Sequence, residues 1–170
     1  MKDDRHKIVT LNFFRRELIY DCENYSFVEG DIMQEEEEHA KHQVFDIAQD
    51  GNVDRVTRVL NLCFAHCVEM CYPFSRVTVF NGMRTNDRLI PYEKYELRLR
   101  VPDDFSATTV DYLTKLIHEL MVDCVMQDWM SITKPRSKAT WQEKIDALEG
   151  KITSAIKGRM RPVRRPLNPF

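Results

Sequence analysis

The stretch from Ser106 to Trp129 constrains this chain most. Val110, Leu113, Leu116, Ile117, Leu120, Met121, Cys124, Val125 and Met126 recur there at three- and four-residue spacing. That repeat belongs to a long core helix. Ser106, Thr108 or Thr109 is available to cap its start, since a short hydroxyl side chain can satisfy an orphan amide of the first turn. The segment Ser131 to Lys138 contains Pro135 and reads as an elbow. A second helix follows with Trp141, Ile145, Leu148, Ile152 and Ile156 on one face. The chain then closes on Arg159-Met-Arg-Pro-Val-Arg-Arg-Pro-Leu-Asn-Pro-Phe170, which has no local partner to fold with.

The preceding residues divide into shorter elements. Leu11, Phe14, Leu18 and Tyr25 predict a helix over about 10–26, with Thr10 or Asn12 at its N-cap and Phe27, Val28 and Gly30 ending it. Asp31 is placed to cap a second helix running through Glu35–Glu38 to Ile47, its acidic first turns facing the positive end of the helix dipole. Asp50-Gly51-Asn52 is a turn signal. Asn52 or Asp54 then starts a helix carrying Val53, Val56, Val59, Leu60, Cys63, Phe64, Cys67 and Met70, and Pro73 stops it. Beyond Pro73 the period changes to two. Arg76-Val-Thr-Val-Phe80 is β-branched and alternating. After the Asn81-Gly82 turn and a polar stretch, Glu93–Val101 alternates cleanly, with Tyr95, Leu97, Leu99 and Val101 on one face and Glu96, Arg98 and Arg100 on the other.

These elements define a mainly α fold: a bundle of about five helices, a small β-hairpin or arm inserted near 76–101, and an extended C-terminal tail. Residues 1–158 form one helical domain, and 159–170 are the basic tail. A two-stranded arm is marginal unless it packs on helices or pairs with another copy, so it is a natural assembly element.

Bulk charge, −2 overall, steers toward no particular partner, but its distribution is uneven. Between Glu29 and Asp50 there are eight acidic residues and one lysine, while between Gly150 and Phe170 there are six basic residues and no acidic one. Opposed charge of this kind suits head-to-tail contact between copies, or a basic arm on an acidic partner. No run approaches the ~20 apolar residues of a membrane span. The charged N-terminus has no apolar segment behind it, and five cysteines without a secretion signal imply a reduced intracellular compartment.

Candidate chemistry is thin. Cys63, Cys67 and Cys71 share one helical stripe, yet Cys22 and Cys124 stand alone, so no second cluster completes a structural zinc site. The three thiols read as core residues. Glu36-x-x-His39 and the His39/His42 pair resemble half of a di-iron bundle site whose other half is missing. His118-Glu119, in mid-helix, reads as a hydrogen-bonded pair on a core helix. None of the phosphate-cradling or nucleophile-elbow motifs is present. The chain reads as a non-enzyme with no metal and no cofactor.

The tail is the most informative motif. Arg159, Arg161, Arg164 and Arg165 alternate with prolines that forbid a helix, and Phe170 supplies an apolar anchor. Such an arm binds phosphates or an acidic protein groove. Three further segments complete the picture: His42-Gln-Val-Phe-Asp-Ile-Ala-Gln-Asp-Gly-Asn-Val-Asp-Arg-Val-Thr-Arg-Val-Leu60, Asp128-Trp-Met-Ser-Ile-Thr-Lys-Pro135 and Arg164-Arg-Pro-Leu-Asn-Pro-Phe170. On these segments the chain resembles a family of small proteins from phages and prophages of gut Bacteroidetes-type bacteria, over nearly its whole length. In layout it is similar to phage head–tail connector (adaptor) proteins, which form rings beneath the portal.

That likeness implies a virion protein, present in the host cytoplasm during assembly and then in the neck. Its expected partners are the portal, other neck or tail proteins and further copies of itself in a ring, where each copy presents two different surfaces. Arg159, Arg161, Arg164, Arg165 and Phe170 are the expected partner-binding residues. Glu35, Glu36, Glu37, Glu38, Arg98 and Arg100 are the expected subunit-interface residues, and contact with DNA is also allowed. The alternative is a nucleic-acid-binding regulator that uses the tail on phosphates. The negative net charge and the lack of a helix rich in Arg, Asn and Gln weigh against it.

Overall fold

The structure is a computed structural model that describes residues 6–33, 38–78 and 93–157; the side chains of residues 38–40 also fall outside it. The elements in chain order are β1 (His6–Phe14), α1 (Arg15–Asp31), α2 (Glu38–Phe45), α3 (Asp50–Met70), β2 (Lys94–Pro102), α4 (Ala107–Thr133) and α5 (Lys138–Lys157). Short 3-10 turns lie at Asp46–Ala48, Phe74–Val77 and Pro135–Ser137. The architecture is mainly α: five helices and a small antiparallel sheet of two strands.

The expected core helix is the axis. α4 touches α1, α2, α3, α5 and β1. Leu113, Ile117, Leu120, Met121, Val122, Val125, Met126 and Met130, spread around its circumference, are all buried. Removing that much apolar surface from water is the main term holding the bundle. Trp129 adds direction, because its indole Nε1–H donates to the Val44 carbonyl at 2.9 Å and so fixes α4 against the end of α2. α3 brings Val56, Leu60, Cys63, Phe64 and Cys67 to the core, and α5 brings Trp141, Ile145, Ile152 and Ile156.

The strand over 93–101 stands where its alternation put it, and Tyr95, Leu97, Leu99 and Val101 are all buried. Its partner differs from the expected one. β2 pairs within the same copy with β1, Leu11 opposite Leu97 and Phe13 opposite Tyr95. Residues 10–14, expected to open the first helix, are therefore strand, and neither Thr10 nor Asn12 is its N-cap. That position falls to Phe14, which makes no side-chain capping bond. Leu11 and Phe13 alternate inward while Phe14 points out. The helical spacing Leu11–Phe14–Leu18 thus mixed residues from opposite faces of two elements.

The segment expected to pair, 76–80, does not form a strand in its described part. Phe74–Val77 is a 3-10 turn, held by Ser75 Oγ donating to the Val68 carbonyl at 2.5 Å. Thr78 meets the edge of β2 away from β1: its hydroxyl donates to the Arg98 carbonyl at 2.8 Å and accepts from the Arg98 amide at 3.0 Å. Residues 79–92, including Asn81-Gly82, lie outside the described residues.

Two smaller corrections concern helix ends. Asp50-Gly51-Asn52 is the first turn of α3, and the break falls at Gln49, its N-cap. Asn52 Nδ2 reaches back to the Asp46 carbonyl at 2.7 Å, joining the 3-10 turn to the helix. Asp31 closes α1 instead of capping α2, and Gly30 lies inside α1. Gly30 is glycine for room: a Cβ there would sit 2.5 Å from Phe45 Cε1. The elbow after α4 is present, α4 running to Thr133. Lys134 Nζ binds Glu29 Oε2 at 2.8 Å, and Ser137 Oγ donates to the same oxygen at 3.3 Å, locking the elbow to α1.

Candidate functional site

Most of the residues singled out in the sequence as binding residues cannot be placed. Arg159, Arg161, Arg164, Arg165 and Phe170 lie outside the described residues, as do Glu35, Glu36 and Glu37 and the side chain of Glu38. Arg98 and Arg100 are placed. Both project from the outer face of β2, where Arg98 meets Glu96 at 3.1 Å and Arg100 stands across from Ile8. Lys94 also meets Glu96, at 2.6 Å. These are solvated pairs on a mixed surface, worth little individually.

The cysteine stripe is core, as its spacing implied: Cys63, Cys67 and Cys71 are all buried and free. Burial pushes the Cys71 thiol up to about 12, so it is protonated at neutral pH and inert. Cys124 is not isolated, however. Its sulfur lies 2.9 Å from that of Cys63, across the α3–α4 contact. Among the described residues, no three His, Cys, Asp or Glu side chains are grouped to hold a metal ion.

His118 is paired, and its partner comes from α1. His118 Nε2 and Asp21 Oδ2 are 2.7 Å apart. One turn on, Tyr25 donates its hydroxyl to Glu119 Oε2 at 3.3 Å. Deeper in the same seam is Asp123, buried and raised to about 6, first by loss of solvent and then by Glu119, with the Lys144 ammonium opposing. Lys144 lies 3.6 Å over the Trp141 ring, and the Tyr25 ring stands edge-on to Trp141 at 5.4 Å. The seam is a polar zip that sets the register of α1 on α4 and α5. At its mouth is an open cleft of about 520 Å³ lined by Arg16, Glu17, Tyr20, Asp21 and His118. The Asp21 carboxylate orients the imidazole. Among the described residues, no Ser, Thr or Cys lines the cleft.

The larger feature is the outward side of α1. Its inward side buries Leu18, Cys22, Ser26 and Gly30. Its outward side exposes Tyr20 by 61%, Phe27 by 61%, Val28 by 57% and Ile32 by 68%. These four follow a spacing of seven, eight and twelve residues, and so form one stripe along about three turns. Phe27 stacks on Phe45 at 5.5 Å between centroids, so the stripe is braced by α2. Glu17, Glu23 and Asp31 are exposed on the same side and make no ion pair among the described residues.

No family model matches the chain, and neither does any curated protein or solved structure. Nothing outside the molecule therefore assigns a role to the cleft or to the stripe.

The sequence reading overlooked the stripe because it sought one apolar face per helix. The signal was nonetheless present. Tyr20, Phe27, Val28 and Ile32 recur as regularly as Leu18 and Cys22 do on the opposite side, and a helix with two apolar faces has to meet something on each.

Proposed function

We propose that the protein is a structural assembly subunit, a head–tail connector or neck component of a phage virion that forms a ring of like copies on the portal. One observation carries the assembly part: the braced, exposed apolar stripe on α1. Isolated surface apolar residues are ordinary, but four large ones exposed on one side of a helix, interleaved with charge, mark a candidate protein–protein contact. The virion part rests on the resemblance of residues 42–60, 128–135 and 164–170 to phage proteins and on the connector-like layout of bundle, strands and basic tail. In this role the α4-centred bundle is a rigid spacer. The stripe and the Arg159–Phe170 tail are the two unlike surfaces that a ring requires.

The test is light scattering of the full chain, alone and with purified portal. The expected result is a discrete oligomer or a portal complex. A strict monomer in both would overturn the reading. Truncation before Arg159 is expected to leave the melting temperature unchanged and to abolish portal binding. Salt-dependent DNA affinity lost on the same truncation would favour the nucleic-acid reading instead.

A further inference from the structure

The assembly reading leaves open what covers α1. We infer that the outward face of α1 is the docking site for the C-terminal segment Arg159–Phe170 of a second copy of this chain. The inference rests on the assembly reading and makes it specific.

Composition is the first argument. At 100° per residue, Arg16, Glu17, Tyr20, Glu23, Asn24, Phe27, Val28, Asp31 and Ile32 fall within one half of the helix circumference, opposite the buried Leu18, Cys22, Ser26 and Gly30. The face thus interleaves four apolar side chains with three carboxylates, against one cation. The tail interleaves Met160, Val163, Leu167 and Phe170 with Arg159, Arg161, Arg164 and Arg165, and contains no acidic residue. Arginine suits such a surface, because its planar head pairs with a carboxylate while its stem covers apolar area.

Length is the second argument. From Glu17 to Ile32 the face spans roughly 22 Å at helical rise. Twelve residues in extended form reach roughly 37 Å, at about 3.1 Å each. The tail can therefore run the length of the face.

Direction argues for a second copy. α5 meets α1 at Trp141 and Lys144, in its first two turns. By its fourth turn it meets α3, where Glu149 Oε1 is 2.8 Å from His66 Nε2. Along its length α5 thus passes from contact with α1 to contact with α3, away from the outward face of α1. A tail from one copy on the α1 of the next is a heterologous contact, which propagates around a ring.

The test uses the full chain with a benzophenone amino acid in place of Val163. Protein of natural isotope content is mixed with nitrogen-15-labelled protein, allowed to exchange, irradiated and digested. The expected product is a cross-link to residues between Glu17 and Ile32, present as mixed-isotope pairs. Reversing the face with Glu17→Lys, Glu23→Lys and Asp31→Lys is expected to lower its yield about tenfold, as three exposed ion pairs would. Adding Arg159→Glu, Arg161→Glu, Arg164→Glu and Arg165→Glu to the reversed protein is expected to restore it. Unchanged melting temperatures guard against misfolding.

A cross-link to this face carried only by isotopically pure pairs would mean a tail folded onto its own bundle, and would overturn the inference. An oligomer whose cross-links fall elsewhere, the Glu35–Glu38 run included, would overturn this contact and leave the assembly reading standing. A protein that sediments as a monomer would overturn this contact, and one that also stays monomeric with the portal would overturn both.

Discussion

α4 and α1 are alike in one respect: neither is amphipathic. Around α4, Leu113, Ile117, Leu120, Val122 and Met126 face several directions and are all buried, because four helices and a strand surround it. Around α1, Leu18 and Cys22 are buried on one side, while Tyr20, Phe27, Val28 and Ile32 lie in solvent on the other. The two helices thus have different outcomes, set by position in the bundle and by the charge that α1 carries. For α4 the whole circumference is a folding surface. For α1, half is a folding surface and half is left for association. A helix apolar all round, as α4 is, needs partners all round; α1, with seven charged residues among its seventeen, leaves only the few apolar side chains of its outer face without one.

That contrast can be broken at several points. The largest effect is expected in α4, where Leu120→Ala leaves a cavity in the fully buried core and costs about 3 kcal/mol in denaturant unfolding. At the inner edge of α1, Gly30→Ala has to displace the Phe45 ring, which itself braces Phe27. A loss of about 2 kcal/mol is expected, with weakened assembly. No loss there would mean that α2 is not held as described.

In the seam between α1 and α4, Asp123 carries a carboxyl that burial raises to about 6 in the fold, above its ordinary value of 3.8. A raised acid destabilises the fold where it is ionised. The cost is full above about pH 6 and is relieved as pH falls toward 3.8. Asp123→Asn is therefore expected to gain about 1 kcal/mol at pH 7.5, an advantage that shrinks to nothing near pH 4; a loss at pH 7.5 would show the charge paired in the folded state. The smallest stability effect is expected on the outer face of α1, where Val28→Ser changes unfolding by less than about 0.5 kcal/mol and should act on association alone.

How far the sequence carried depended on whether the decisive partner was near. α3, α4, α5 and β2 were legible, since each is a long run of one period flanked by Pro73, Pro102 or Pro135. β1 was not. Its alternation covers only Leu11 and Phe13 at the buried positions, and its partner, Lys94–Pro102, is far along the chain. The seam was invisible for the same reason: His118 reads as a lone polar residue until Asp21 is brought beside it. Cys124 likewise read as solitary until α3 placed Cys63 against it. The α1 stripe is the opposite case, since its spacing is entirely local. What it lacked was a reason to expect two apolar faces, and only the packing of Leu18 and Cys22 shows which face the bundle uses.

The most direct test is sedimentation velocity of the full chain beside the double variant Val28→Lys and Ile32→Lys. These two positions avoid both the Phe27–Phe45 stack and the Tyr20 cleft. The account predicts that the unaltered protein sediments as an oligomer and the variant as a monomer, with coincident thermal melts under dilute conditions where both are dissociated. An oligomer unchanged by the two lysines would contradict it.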